Sequence, residues 1–282
     1  ARRDRRPAVT GRVVFVGAGP GASDLITLRG ARVIAKADVV IWASSLVNAD
    51  VIAGRRADAL VVDSASASLE DLVPLYERAR DEGLLVARVH TGDPSIYGAT
   101  AEQRAVLDRL GVEHETIPGV SAFSAAAAAT GVEITLPEVA QSLILTRLEG
   151  GRTPMPERES VREFARHGTT MAVYLSAARG DVLQAELLAG GYPPDTPVIV
   201  GHQVSWPGEV IVRCRLDQLA LTLAERGFVK HTVILVGPAL AEGESVRRSH
   251  LYHPGFAHEY RAADPTAAPP APGASEREGS GR

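Results

Sequence analysis

The sequence predicts an α/β protein of two domains, the first on a mostly parallel sheet and the second on a mixed one. Three observations predict it. Short β-branched runs alternate with helical stretches from Arg12 to Ile117. After Pro118-Gly119 the texture changes, and apolar runs sit closer together. Glycine-rich loops follow two of the early strands, where an open parallel sheet carries its ligands.

The elements follow in order. Residues 1–10 are a polar, flexible arm; Arg2 to Arg6 resembles an export signal, but the apolar stretch behind it, Val13–Val16, is too short. Arg12–Val16 reads as a buried strand, and Asp24–Ala35 as a helix with Leu25, Leu28, Val33 and Ile34 near helical spacing. Asp38–Ala43 and Leu60–Asp63 are strands. Ser68–Glu82 is a helix with Ser68 as N-cap, Asp71 three residues on, and Gly83 as its stop. Strand Leu85–His90, helix Thr100–Leu110 and strand Glu113–Ile117 complete a first domain over residues 11–118. Residues 119–242 form the second: an alanine-rich helix Ser121–Thr130, strands at Gln141–Thr146, Thr170–Leu175, Thr196–Val200, Glu209–Arg213 and Thr232–Val236, and helices at Ser160–His167, Asp181–Ala189 and Leu216–Arg226. Residues 243–282 are a largely disordered tail.

Composition removes several function classes. The 282 residues carry a net charge of −4, against the basic face a nucleic-acid binder wants. No apolar run reaches the ~20 residues of a membrane span, and with one cysteine, Cys214, neither a disulfide framework nor a thiolate zinc site is available. A cytoplasmic protein fits. His250, His253 and His258 cluster without carboxylates, so no metal site is expected.

Gly17-Ala18-Gly19-Pro20-Gly21-Ala22 meets the dinucleotide fingerprint in letters. Its second requirement fails, because the following strand ends Ala43-Ser44-Ser45 and Asp38 sits at the wrong end to hold a ribose. Pro20 lacks the N–H a pyrophosphate would use, and no Gly-Lys-Ser/Thr follows. The loop His90-Thr91-Gly92-Asp93-Pro94-Ser95-Ile96-Tyr97-Gly98 also leaves a strand's carboxyl end and can face the same cleft.

These two loops, with Pro118-Gly119-Val120-Ser121-Ala122 and Val173-Tyr174-Leu175-Ser176, resemble the tetrapyrrole (corrin/porphyrin) methyltransferase family over about residues 12–242. Three segments are similar to its precorrin-4 C11-methylating branch of cobalamin biosynthesis: Leu136–Ser142, Thr146–Glu157 and Ser205–Glu209, the second departing by a doubled glycine, Gly150-Gly151. The resemblance implies S-adenosylmethionine folded in a cleft between the domains, leaving as S-adenosylhomocysteine. It assigns cofactor contacts to Pro20, Thr91, Gly92, Asp93, Ile96, Ser121, Ala122, Leu175, Val204, Pro238 and Ala239. It also implies a homodimer and a tetrapyrrole substrate, while the charge and the short apolar runs leave no expected nucleic-acid or membrane partner.

A sulfonium methyl is already activated, so alignment and desolvation dominate the chemistry. Asp93, then Tyr97, are the candidate acid–base groups; the plain alternative for Asp93 is a turn cap. Arg147 and Arg152 are candidates for substrate carboxylates, and Trp206 for covering the macrocycle face. Competing readings are another tetrapyrrole C-methyltransferase of this fold, including the cobalt-precorrin-4 enzyme, a nucleotide-binding oxidoreductase, and a non-catalytic nucleotide-binding module.

Overall fold

The computed structural model describes residues 11–149, 154–242 and 252–267. They fall into two compact units. The first holds the described residues up to Thr130 with Gly201–Val212 and Lys230–Val233; the second holds Gly131–Val200, Arg213–Val229 and the described residues from Ile234.

Five strands build the first sheet: β1 (Arg12–Gly17), β2 (Val39–Trp42), β3 (Leu60–Asp63), β4 (Leu85–His90) and β5 (Glu113–Ile117). Their order is β3-β2-β4-β1-β5, and every pairing is parallel. The inner strands β1, β2 and β4 are largely apolar on both faces because both faces are covered, whereas the edge strands β3 and β5 are mostly exposed. Val14, Val16, Val40, Ala87 and Val89 pack with Ile34 and Val51 on one side. Val13, Phe15, Val39, Ile41 and Val86 pack with Leu72, Tyr76 and Leu107 on the other. Register sets the functional level: Gly17 lies opposite His90, and Val16 opposite Ile117, so β1, β4 and β5 release their loops together.

The helices are α1 (Leu28–Ile34), α2 (Leu69–Glu82), α3 (Thr100–Leu110) and α4 (Ala122–Thr130). In α2 both halves of the capping box form between Ser68 and Asp71, and Gly83 closes the helix in the left-handed region. The helix expected over Asp24–Ala35 is corrected. A short 3₁₀ turn, Ser23–Leu25, is followed by extended Ile26 and Thr27, and α1 starts only at Leu28. Thr27 breaks the run by acting as N-cap, its hydroxyl accepting from the Gly30 N–H at 3.1 Å. Leu28, counted toward an apolar face, is 75% exposed.

The second sheet has the order β6-β7-β10-β8-β9, from β6 (Leu143–Arg147), β7 (Thr170–Tyr174), β8 (Pro197–His202), β9 (Val210–Arg215) and β10 (Thr232–Val236). It is mixed, since β6–β7 is parallel and β7–β10 antiparallel. Its helices are α5 (Val161–Ala165), α6 (Gly180–Ala189) and α7 (Leu219–Arg226). Within the expected tail, residues 252–267 are described: Arg261 donates to the carbonyls of His253 and Phe256, and His258 pairs with Arg261. The expected N-terminal arm, the doubled glycine and His250 lie outside the described residues.

Candidate functional site

Three loops leave the carboxyl ends of β1, β4 and β5, and main-chain bonds knit them together. Ala18 N–H donates to the His90 carbonyl at 2.7 Å. Gly19 and Gly92 exchange both amide bonds, at 2.8 and 3.3 Å. The third loop enters by close approach: a Cβ on Gly119 would fall onto the Gly92 carbonyl oxygen and the Gly17 backbone. No other residue type fits that spot without moving main chain.

Asp93 locks the arrangement. One carboxylate oxygen accepts the Gly119 N–H at 2.9 Å, and the other accepts the N–H and hydroxyl of Ser95 at 2.8 and 2.5 Å. Partial burial pushes its pKa up, but the bonds from Ser95 and Gly119 outweigh that, and the net shift is below the ordinary aspartate value. The carboxylate is therefore ionised at neutral pH, with three donors already on it. This geometry is that of a brace between two loops. Farther along, Tyr97 and Ala99 adopt positive φ, 53° and 47°, so the turn into α3 holds non-glycine residues in the left-handed region. Tyr97 is 46% exposed. Beneath this loop, His90 is held neutral: burial, then the positive charge of Arg88, lowers its pKa to about 3.

A distant segment reaches the same glycine loop. The Trp206 indole N–H donates to the Pro20 carbonyl at 2.9 Å, across 186 positions of sequence. The Ser205 hydroxyl accepts the Ala22 N–H at 3.0 Å. Gly21 leaves room for the Trp206 ring, which a Cβ there would strike. Val204, just before them, is buried.

The second unit carries the other expected residues. Leu175 follows β7 with φ 54° and is 75% exposed, an unusual place for a leucine. Its neighbour Ser176 is buried; the hydroxyl donates to the Tyr174 carbonyl and accepts the Leu148 N–H at 2.8 Å, tying the turn after β7 to the one after β6. Ala239 is buried and Pro238 half-buried, after β10. Arg147 ends β6 with its guanidinium toward the carbonyls of Leu148 and Pro154, both at 3.4 Å. Arg152 lies outside the described residues.

The structure thus brings Pro20, Thr91, Gly92, Asp93, Ile96, Ser121 and Ala122 onto adjoining loops of one sheet, with Trp206 bonded to that assembly. Sequence reasoning missed Gly119, Ser95 and Ser205. Gly119 stood only at the domain junction and within a family motif, yet a glycine at the level of two other glycine loops signals main-chain contact.

The chemistry of these loops decides what they can hold. They present mostly glycine, alanine, proline, serine and threonine, with Ile96, Tyr97 and Val120, and their one acid is already satisfied. They offer no cation to a pyrophosphate, and Asp38 is committed elsewhere, accepting the Leu85 N–H at 2.9 Å and pairing with Arg56. With Asp38 so committed at the start of β2, the ribose requirement of a dinucleotide site is unmet. Among the described residues no three or more His, Cys, Asp or Glu gather into a metal site, and no helix is long and apolar enough to cross a membrane.

Comparison with known proteins agrees with this chemistry. The model of the Tetrapyrrole (Corrin/Porphyrin) Methylases matches residues 12–220. A precorrin-4 C(11)-methyltransferase from Pseudomonas aeruginosa is 45% identical over 252 residues, covering 89% of this chain and 99% of that protein. The crystal structure of a cobalt precorrin-4 methyltransferase superposes with a TM-score of 0.79 at 43% identity, covering 82% of this chain and 96% of the other. A uroporphyrin-III C-methyltransferase from Thermus thermophilus, solved with S-adenosylhomocysteine, gives 0.68 at 29% identity over 84% and 97% of the two chains. With the family model matching well over half its length, this chain belongs to the tetrapyrrole (corrin/porphyrin) methylases.

Proposed function

We propose that this protein transfers a methyl group from S-adenosylmethionine to C11 of precorrin-4, giving precorrin-5 in cobalamin biosynthesis. The observation that carries this reading is end-to-end similarity to the Pseudomonas aeruginosa enzyme, 99% of which is matched at 45% identity. The related enzyme solved with S-adenosylhomocysteine supports the same cofactor here.

The cofactor supplies an electrophilic methyl on a sulfonium, so the protein needs no nucleophile of its own. Pro20, Thr91, Gly92, Ile96, Ser121, Ala122, Val204, Leu175, Pro238 and Ala239 are proposed to contact it. Asp93 is proposed to act by fixing the Gly119 N–H and the turn at Ser95, which holds two of the loops in register. Its depressed pKa makes it a poor proton donor at neutral pH. Tyr97, partly exposed on the same loop, is the proposed proton carrier. Arg147 and Arg152 are proposed to take the substrate's carboxylates through charge-assisted bonds. A homodimer is proposed on the family resemblance, with sedimentation near 30 kDa at micromolar concentration as the result against it.

The direct test supplies methyl-¹³C-labelled cofactor and precorrin-4, then reads the product by carbon NMR. A label at C11 is expected; a label elsewhere, or no transfer, defeats the assignment. A second reading, action on the cobalt-containing substrate, is favoured by the 0.79 match to a cobalt precorrin-4 methyltransferase. Parallel assays with and without cobalt in the macrocycle separate the two.

A further inference from the structure

We infer that Trp206 and Ser205 are positioning residues for the cofactor, acting through the glycine loop rather than on the macrocycle. The inference rests on the proposed cofactor and goes beyond it. The loop Gly17–Ala22 has little means of fixing itself, since its residues are glycine, alanine and proline. Its first half is held by the loop after β4 through the paired Gly19 and Gly92 amides. Its second half, Pro20 to Ala22, is held from the 203–209 segment: the indole N–H caps the Pro20 carbonyl, and the Ser205 hydroxyl caps the Ala22 N–H.

That segment is itself braced. Gln203 N–H donates to the His231 carbonyl at 2.8 Å, and Ser205 N–H to the Glu209 carboxylate at 2.6 Å. The Trp206 ring meets His231 edge-on, with centroids 5.8 Å apart. Gln203 and Ser205 in this segment, and His231 packed against it, have φ of 47°, 62° and 51°, three left-handed residues that meet in space. Non-glycine residues hold such conformations where surrounding contacts over-determine them. The strain here serves to aim one hydroxyl and one indole at two main-chain atoms of the glycine loop. With the N–H committed to Pro20 and the ring against Gly21 and His231, Trp206 acts on the cofactor side of the reaction.

The test compares Trp206→Phe, Trp206→Ala and Ser205→Ala with the wild type, using S-adenosylhomocysteine in calorimetry and both Michaelis constants in turnover. Loss of one such bond weakens S-adenosylhomocysteine binding by roughly 3- to 10-fold in Trp206→Phe and Ser205→Ala. Trp206→Ala loses more, because the ring goes too. The cofactor KM rises in step, while the tetrapyrrole KM stays within about twofold, a split that a general folding defect does not give. A readout free of changes at the site uses Trp42→Phe, which leaves Trp206 as the sole tryptophan of the two; its emission changes on S-adenosylhomocysteine addition, saturating at the calorimetric dissociation constant. Unchanged cofactor affinity in Trp206→Phe with a raised tetrapyrrole KM, or emission that responds to tetrapyrrole alone, overturns the inference. A wild type that binds no S-adenosylhomocysteine overturns the cofactor reading as well, and so distinguishes the two failures.

Discussion

The loops at the strand ends of the first unit and the loop after β6 in the second are held by different means. In the first, Ala18, Gly19, Gly92 and Gly119 meet main chain to main chain, and one carboxylate braces the join. In the second, side chains do the holding. Glu149 accepts the Val161 N–H at 3.0 Å, its carbonyl accepts from Arg179 at 2.7 Å, and Arg162 pairs with Glu186 around a charged hollow of about 570 Å³. A main-chain cradle tolerates almost no added volume but is insensitive to charge. A side-chain loop tolerates changes of shape but answers strongly to charge. The first is fixed by shape; the second is fixed by charge pairing, its hollow edged by Glu149, Glu157, Glu163 and Glu186 against Arg158 and Arg162.

Changes that attack one mode and spare the other test that contrast. The largest effect is expected from Gly119→Ala, whose methyl has nowhere to go but into the Gly92 carbonyl. Overpacking of this kind costs up to about 3 kcal/mol, a fall of roughly 6–12 °C in melting temperature for a domain of this size. S-adenosylhomocysteine affinity should drop by about 100-fold or more in calorimetry at low temperature, where the variant is folded. A stable variant that binds normally would mean the three loops are not one rigid cradle.

Next comes Arg147→Glu. It leaves the first unit untouched and puts repulsion where a paired charge is proposed, so the tetrapyrrole KM should rise by roughly 10- to 100-fold. Cofactor affinity should not move; a parallel loss would place Arg147 in the fold rather than at the substrate.

Asp93→Asn is a milder insult than either. The amide oxygen can still accept from Gly119 or Ser95, though not with a charge, so turnover should stay within about tenfold of wild type. A loss of about 10² in kcat with unchanged cofactor binding would restore a direct acid–base role to the carboxylate.

The smallest effect is one of pH. Asp93 titrates below its ordinary value of 3.8 in the folded protein, so its brace is complete above that range and is lost only as pH falls through its depressed pKa. His90 has the same sign at a higher pH. Its folded pKa of about 3 lies below the ordinary 6.5, so the unfolded chain takes up a proton first and stability declines as pH drops below about 6.5. Melting temperature between pH 7 and 4 should therefore slope less in His90→Gln than in wild type. Equal slopes would show that His90 is open to protonation in the folded state.

Much of the fold was legible because local signals and global packing agreed. Thr100–Leu110 begins and ends where its pattern and Gly111 say, and Ser68 with Asp71 forms the capping box its spacing announces. The failure at Asp24–Ala35 has a physical source. Leu25 and Leu28 have helical spacing, but spacing cannot tell a buried leucine from an exposed one, and Thr27 had a capping role the pattern outweighed. In the site, the glycine loops were legible because glycine marks close approach. The partners of those loops were not, because a hydrogen bond spanning 183 or 186 residues leaves no local trace.

Alternation, caps and motifs are written in neighbouring residues, so the two α/β sheets, the strand ends at which ligand loops emerge, and the family can all be read from the chain. What Asp93 and Trp206 touch follows from the folded geometry alone. Both are ambiguous as letters, an acid beside a proline and a tryptophan before one. Their roles come from the register that sets β1, β4 and β5 level, which brings the Gly119 amide under a carboxylate, and from a strained turn that sets an indole N–H against the Pro20 carbonyl.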